Sequence, residues 1–180
     1  MSTIFDAAII QIRVERAALL FESFDHSPFK IRALNQAVEA YIVSHTENLS
    51  ARRSIHLVFC LPVQEATQQQ SSDMEQAVNH HFSERADATQ QSLSALFRIG
   101  RRSLAIGLAV LAASLVAVKF ADNLPGARFP KLFAEGLTIF GWVANWRPME
   151  IFLYDWWPIA GQRNIYRRLA SATVSVKVDD

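Results

Sequence analysis

Three ionisable residues that could pair with one another lie in the most aromatic part of the chain. Arg147, Glu150 and Asp155 follow an apolar stretch, and Arg147 and Glu150 have the three-residue spacing at which side chains meet on a helix. An ionisable side chain in a membrane interior costs about 2.5–3.5 kcal/mol on insertion scales, so such residues usually have a partner or a function. With Glu135, near the start of that stretch, they are candidates for an ion or proton path. The alternative is that Arg147, Glu150 and Asp155 anchor a helix at the membrane surface.

The tryptophans favour the surface alternative, because all four lie within sixteen residues of this same run. Indole and phenol rings collect where hydrocarbon meets headgroups, since the ring is apolar while its N–H or O–H needs a polar partner. The run therefore predicts the end of a membrane helix that continues along the bilayer surface. The predicted interface anchors are Trp142, Trp146, Trp156, Trp157, Tyr154 and Arg147.

The segment EGLTIFGWVANWRPMEIFLYDWWPI, with FDHSPF upstream, resembles a group of bacterial two-span inner-membrane proteins with the signature W-R-P-x-E-x-x-L-Y-D-W-W-P. The resemblance covers Glu135 to Pro158 and is looser elsewhere. It implies residence in a bacterial inner membrane and no particular activity. The tail AGQRNIYRR departs from the pattern, because such proteins carry a more densely basic tail there.

Two apolar stretches predict a pair of membrane-spanning helices. The first, LAIGLAVLAASLVAV at residues 104–118, is bounded by Arg101 and Arg102 before it and Lys119 after it. Fifteen apolar residues are short for a span of about twenty, but the long stem of Lys119 lets its charge reach the headgroups. The predicted hairpin comprises transmembrane helix 1 at 101–121, a loop at 122–131 and transmembrane helix 2 at 132–147, followed by an interfacial helix and basic tail at 148–168.

Alanines recur every four residues in the first predicted span. Small residues at that spacing let two helix backbones approach closely where lipid removes the hydrophobic drive for association. The stripe predicts helix packing, either against the second span or against a neighbouring copy of the chain. Its members are Ala105, Ala109, Ala113 and Ala117.

The rest of the chain predicts a small α/β domain. Residues 8–14, 54–61 and 172–178 show the β-branched alternation of strands, and Asn35 is a plausible N-cap for an amphipathic helix. The strand at 54–61 is apolar on both faces, which predicts a central strand covered on both sides. We therefore expect an α+β membrane protein: a three-stranded domain at 1–63 rejoined by the strand at 172–178, a polar linker at 64–73, a stalk helix at 74–100 and the two-helix hairpin.

Charge and topology place this domain in the cytoplasm. If the last strand joins the first two, both termini lie on one side of the membrane and the number of spans is even. Six arginines flank the spans on the domain side, against three basic residues in the loop, which agrees with the positive-inside rule. Residues 1–100 carry eight Lys and Arg against eleven Asp and Glu, while residues 101–180 carry ten against six. That distribution suits anionic lipid and argues against nucleic acid, which needs a continuous basic face.

Other reactive residues give no recognisable catalytic or metal motif. Cys60 lies in an apolar strand and predicts a buried, inert thiol, and His56 predicts a packed core residue. The neighbours His80, His81 and Glu84 fit a solvated stalk surface better than a metal site, because adjacent histidines point in different directions on a helix. We therefore predict no catalytic residue, no metal and no cofactor.

These features favour a role as a non-enzymatic adaptor or scaffold that presents its domain at the cytoplasmic face of a bacterial inner membrane. The expected partners are the lipid bilayer, further copies of the chain in a homo-oligomer, and an unidentified protein. One alternative is an oligomeric ion channel or accessory transporter subunit that uses Glu135, Arg147 and Glu150. A weaker one is a membrane-tethered enzyme working through the turn at Asp25 and His26. The N-terminus lacks the features of a secretory signal, so residues 1–100 are expected to stay on the side where they are made.

Overall fold

The computed structural model describes residues 8–14, 16–21, 33–50, 53–62, 68–122 and 130–179. The chain is mixed α+β and divides into two compact units. The first, here called the sheet unit, comprises Met1–Thr89 and Gly161–Asp180; the second, the helical unit, comprises Gln90–Ala160. The turn at Asp25 and His26 lies outside the described residues.

A three-stranded parallel sheet is the centre of the sheet unit. Its strands are β1 at Ala8–Arg13, β2 at Ile55–Pro62 and β3 at Thr173–Asp179, in the order β1-β2-β3. Ile10 pairs with Leu57 in one ladder, and Leu57 pairs with Val174 in the other. The predicted third strand therefore rejoins the sheet and the strand at 54–61 is central, as the sequence indicated.

Helices cover one face of this sheet. The predicted N-cap at Asn35 is confirmed, because its side chain accepts a hydrogen bond from the N–H of Ala37 and begins helix α1 at Gln36–Glu47. A 3₁₀ turn at Ala17–Leu20 precedes it. The start of α2 (Gln68–Asp122) and the end of α5 (Trp156–Ala170) complete the cover. One core joins the strands to these helices; its largest fully buried members include Phe21, Phe59, Phe82, Ile42, Leu57 and Leu169.

On the opposite face of the sheet, the central strand is less buried than predicted. Only Val58 is buried there, while His56 and Cys60 are half-buried. His56 was predicted to be a packed core residue but is only half-buried, and its Nε2 lies 2.9 Å from the Ser175 hydroxyl oxygen on the neighbouring strand. In the described part of the chain the cover of this second face is partial, because Val58 is fully buried while His56 and Cys60 keep part of their surface exposed.

Helix α2 is continuous through the predicted stalk and the first predicted span. It begins at Gln68, so residues 68–73 of the predicted linker are helical. The apolar residues Met74, Ala77, Val78 and Phe82 share one face of the helix and are buried, and His81 is buried with them. Of the helices in the described part of the chain, Ser72–Phe120 is the one that is long and apolar enough to cross a membrane.

The rest of the helical unit consists of short α-helices, a turn and a π-helical segment. Helix α3 covers Pro130–Val143, residues 144–145 form a turn, and α4 covers Trp146–Glu150. Pro148 predicts a break or kink between Asn145 and Pro148, and the turn confirms it. Transmembrane helix 2, predicted to reach residue 147, ends as a regular helix four residues earlier. A π-helical segment at Ile151–Asp155 then leads into α5. Pro148 is tolerated at the third position of α4, because N–H groups in a first turn have no intrahelical partner.

Candidate functional site

A buried polar cluster in the sheet unit ties three helices together. Glu39 on α1 is 7% exposed and His81 on α2 is 6% exposed. Oε2 of Glu39 accepts hydrogen bonds from His81 Nε2 at 3.0 Å and from Arg85 Nε and Nη2 at 3.2 and 2.8 Å. Its other oxygen, Oε1, accepts one from the Tyr166 hydroxyl on α5 at 3.2 Å. We call these four residues the Glu39 cluster.

Helix geometry explains why these side chains meet. Glu39 lies in the first turn of α1, where the helix dipole stabilises a negative charge. His81 and Arg85 are four residues apart on α2, so both reach the same carboxylate from successive turns. The ring of Tyr166 faces the core and stacks on Phe82, with 6.2 Å between the ring centroids. Its hydroxyl points to Glu39.

The hydrogen bonds fix the protonation state of His81. The backbone N–H of Leu34 donates to His81 Nδ1 at 3.3 Å, so Nδ1 carries a lone pair. The proton therefore lies on Nε2, which donates to Glu39. Burial lowers the pKa of His81 by more than the neighbouring carboxylate raises it, which agrees with a neutral ring.

The pKa values of Glu39 and Tyr166 are also shifted. Burial alone would raise the pKa of Glu39, but hydrogen bonds from Arg85 and His81 outweigh it and hold that pKa below its ordinary value. Burial, together with the charge of Glu39, raises the pKa of the Tyr166 hydroxyl. The cluster at neutral pH thus comprises a carboxylate, a guanidinium, a neutral imidazole and a neutral phenol.

An open cavity of about 280 Å³ borders the cluster. Arg85 lines it with a half-exposed side chain, whereas both carboxylate oxygens of Glu39 already accept hydrogen bonds. A carboxylate so occupied is a poor general base, and the raised pKa of Tyr166 disfavours a phenolate nucleophile. The arrangement is suited to holding α1, α2 and α5 in register. Among the described residues no group of three or more His, Cys, Asp or Glu could hold a metal ion.

Acidification is expected to destabilise the sheet unit in two steps. Below the ordinary His pKa of 6.5, the unfolded chain binds a proton that folded His81 resists, so stability falls as pH falls toward the folded pKa. Below 4.5, Glu39 loses its contribution as pH falls through its depressed folded pKa. Thermal melting followed by circular dichroism between pH 7.5 and 5 tests the first step. His81→Gln should remove it and His45→Gln, at an exposed site on α1, should not; an unchanged pH profile in His81→Gln would contradict the assignment.

The predicted ionisable group around Arg147 does come together on the helical unit. Arg147 Nη1 lies 3.1 Å from Glu150 Oε2 and 3.3 Å from Asp155 Oδ2. The Trp146 indole N–H donates to Glu150 Oε1 at 3.3 Å. All three charged side chains are at least one-third exposed. Glu135 is exposed on α3 and the structure joins it to neither Arg147 nor Glu150, so the predicted set is only partly assembled.

The predicted interface anchors lie at the surface of the helical unit. Trp142, Trp146, Trp157 and Tyr154 are all more than 60% exposed. Trp156 is half-buried; its indole N–H donates to the Phe152 carbonyl at 3.0 Å, and its ring packs near Phe97. Exposed indoles suit a membrane interface, and that placement stays a prediction.

The predicted alanine stripe does not form the contact between the two apolar helices. Ala105, Ala109, Ala113 and Ala117 are all exposed. The contact runs instead through Gly107 and Ser114 of α2, which face Asn145 and Gly141. Packing of the alanines against the second helix is therefore wrong, while packing against another copy stays a prediction.

The hydrogen bonds of Asn145 explain why the contact runs through Gly107 and Gly141. It is 6% exposed, and its amide N–H groups donate to the Gly107 carbonyl at 3.1 Å and to the Gly141 carbonyl at 2.9 Å. A Cβ at Gly107 would lie 2.6 Å from Asn145 Oδ1 and 2.9 Å from the Ala144 carbonyl oxygen. Among the described residues Asn145 Oδ1 has no hydrogen-bond partner, and the Cα–H of Gly107 occupies the direction of that Cβ. Only glycine permits this approach.

The histidines of α2 also correct the sequence interpretation. His80 is exposed and lies 3.5 Å from Glu84, as a solvated helix surface would place them. His81 was assigned to the same surface but is buried against Glu39. The signal that the sequence interpretation missed is the four-residue spacing of His81 and Arg85, which places two hydrogen-bond donors beside an apolar face. Their common acceptor, Glu39, lies more than 40 residues away in the sequence and is identified by the tertiary structure.

The sequence matches no protein-family model and no curated protein, and no solved structure matches it. The resemblance carried by the aromatic run therefore stays a prediction.

Proposed function

We propose that the protein is a two-span integral membrane protein that holds its sheet unit at one membrane face as an adaptor or scaffold. The observation that carries the proposal is the exposure of the apolar part of α2. Only 11% of its most apolar 18-residue window is buried. The core helix of a water-soluble protein would be mostly buried, because each exposed Å² of apolar surface costs about 25 cal/mol.

The sheet supports an even number of crossings. β2 ends at Pro62 and β3 begins at Thr173, and the two strands are neighbours in one ladder. A chain that crosses the membrane after Pro62 has to cross back before Thr173 to pair with β2. If α2 is one span, a second must therefore follow within residues 123–172.

Helix α3 and its continuation are the best candidate for the return. α3 exposes Phe133, Ile139, Phe140, Trp142 and Val143. Its 14 residues reach about 21 Å, short of the ~30 Å hydrocarbon core. The helical residues 146–155 extend it, and the exposed aromatic side chains there suit the headgroup region.

The Glu39 cluster supports a holding role for the sheet unit rather than a reaction. Its carboxylate has both oxygens occupied, and its three partners come from the two helices that lead out of the sheet unit. Positive-inside bias supports a cytoplasmic position for the sheet unit in a bacterial inner membrane. The channel alternative has less support, because Arg147 is paired with both nearby carboxylates and Glu135 is separate from them.

Cysteine mapping in bacterial cells tests the topology. In a Cys60→Ser background, single cysteines replace exposed Ser50 and Ser171 of the sheet unit and Gly126 between the proposed spans. A membrane-impermeant maleimide should label only the Gly126→Cys variant in intact cells with a permeable outer membrane. Ser50→Cys and Ser171→Cys should react only after the inner membrane is opened. Labelling of Ser50→Cys and Ser171→Cys from opposite faces, or release of the protein by alkaline carbonate, would overturn the proposal.

A further inference from the structure

A cleft of about 470 Å³ lies along α2 just before its apolar part. Its lining residues recur on one face of the helix and are polar or basic except for one alanine. They are Gln90, Gln91, Ser94, Ala95, Arg98 and Arg101. All belong to the helical unit.

The cleft carries positive charge that nothing on its own helix offsets. Arg98 and Arg101 are exposed, as is the adjacent Arg102. Within the described part of the chain, no carboxylate forms an ion pair with any of the three. Helix α2 has no acidic residue between Asp87 and Asp122. By contrast, Arg85 and Arg147 are each paired with carboxylates, so the three arginines form a distinct cationic site.

The position of the cleft along the helix indicates which anion it meets. The apolar run begins at Leu104, so at about 1.5 Å per residue Arg101 and Arg98 lie roughly 5 and 9 Å before it. The headgroup region of one leaflet is about 5–8 Å deep. If α2 spans the membrane as proposed, Arg101 lies at the level of the lipid phosphates, and the long side chain of Arg98 reaches that level from about one turn further out.

We propose that the Arg98–Arg101 cleft binds the phosphate headgroup of an anionic phospholipid. The inference rests on the proposed function, because it needs α2 to enter the bilayer near Leu104. Guanidinium groups bind phosphate oxygens through paired N–H donors, and a cleft of several hundred Å³ has room for a headgroup. The exposed amide of Gln91 supplies a further donor at the rim.

Lipid retention by the full-length protein tests the site. The protein is placed in nanodiscs of equal phosphatidylglycerol and phosphatidylcholine, and native mass spectrometry counts the lipids that stay bound. Wild-type protein should prefer phosphatidylglycerol, and Arg98→Gln/Arg101→Gln should weaken that preference by about 30-fold, since each basic residue near an anionic surface contributes about fivefold. The matched control, Arg16→Gln/Arg167→Gln, removes two exposed arginines of the sheet unit and should keep the preference.

Three outcomes would overturn the inference. They are an equal preference in the Arg98→Gln/Arg101→Gln and control variants, no preference in wild-type protein, or a preference abolished by inorganic phosphate but not by chloride of equal ionic strength. The last would assign the site to free phosphate. Vesicle flotation separates this inference from the proposed function: wild-type protein that floats but shows no headgroup preference defeats only the inference, while protein that does not float defeats both.

Discussion

Replacing Glu39 by alanine is expected to lower the free energy of unfolding of the sheet unit by about 3 kcal/mol. Removing one partner of a buried charge pair typically costs about 3–5 kcal/mol, and the lower end applies because half-exposed Arg85 can turn toward water. His81 Nε2–H and the Tyr166 hydroxyl cannot, and each would lose its acceptor at a cost of about 1–3 kcal/mol. Hydrogen exchange of α1 and β2 in the full-length protein should become about 100-fold faster.

The control is Glu47→Ala, which removes an exposed carboxylate from the last turn of the same helix. It should leave exchange in α1 and β2 within a few-fold of the wild-type rate, because exposed substitutions usually change stability by less than about 0.5 kcal/mol. Equal exchange rates in the Glu39 and Glu47 variants would show that the cluster does not hold the helices.

Replacing Gly107 by alanine is expected to destabilise the helical unit by about 1–3 kcal/mol, although alanine is the better helix former. The new methyl group would lie 2.9 Å from a backbone carbonyl oxygen, which cannot move away without shifting the turn before α4. Overpacking of this kind costs about 1–3 kcal/mol and would lengthen the Asn145 hydrogen bond to the Gly107 carbonyl.

Gly136→Ala on α3 is the matched control, because a Cβ there meets nothing within 4 Å. That substitution should be neutral or stabilise by up to about 1 kcal/mol through helix propensity alone. Unfolding in mixed micelles, followed by tryptophan fluorescence, reports on the right unit, since all four tryptophans belong to it. If Gly107→Ala and Gly136→Ala changed the free energy of unfolding with the same sign, that result would contradict the close approach of α2 to the turn at Asn145.

Local patterns were sufficient for the strands and the first α-helix of the sheet unit. The alternation of Ile10 and Ile12 with exposed Ile9 and Gln11 predicted β1, and the amide of Asn35 predicted the start of α1. Both signals depend on residues close in sequence, where strand alternation and capping act. The return of β3 followed from the same alternation, because a half-apolar strand at the end of the chain needs a sheet to join.

The buried face of α1 shows where such patterns fail. Apolar spacing predicts one buried face with Ala37, Val38, Tyr41, Ile42 and His45. Of these, Ile42 is buried and Val38 is half-buried, but the other three are exposed, and the remaining buried positions are Glu39 and Thr46. A periodicity argument counts a glutamate as a surface residue, because a carboxylate without partners is costly to bury. The partners of Glu39 lie more than 40 residues away, on α2 and α5.

The sequence by itself determined the strands, the cap of α1, the break near Asn145 and the two apolar stretches. Each follows from the chemistry of residues within a turn or two of one another. The tertiary structure alone decided that Glu39 is buried among His81, Arg85 and Tyr166, and that glycines rather than alanines bring α2 and α3 together. The physical reason is that burial of a charge and close approach of two backbones depend on what the opposite element presents, and local periodicity carries no information about it.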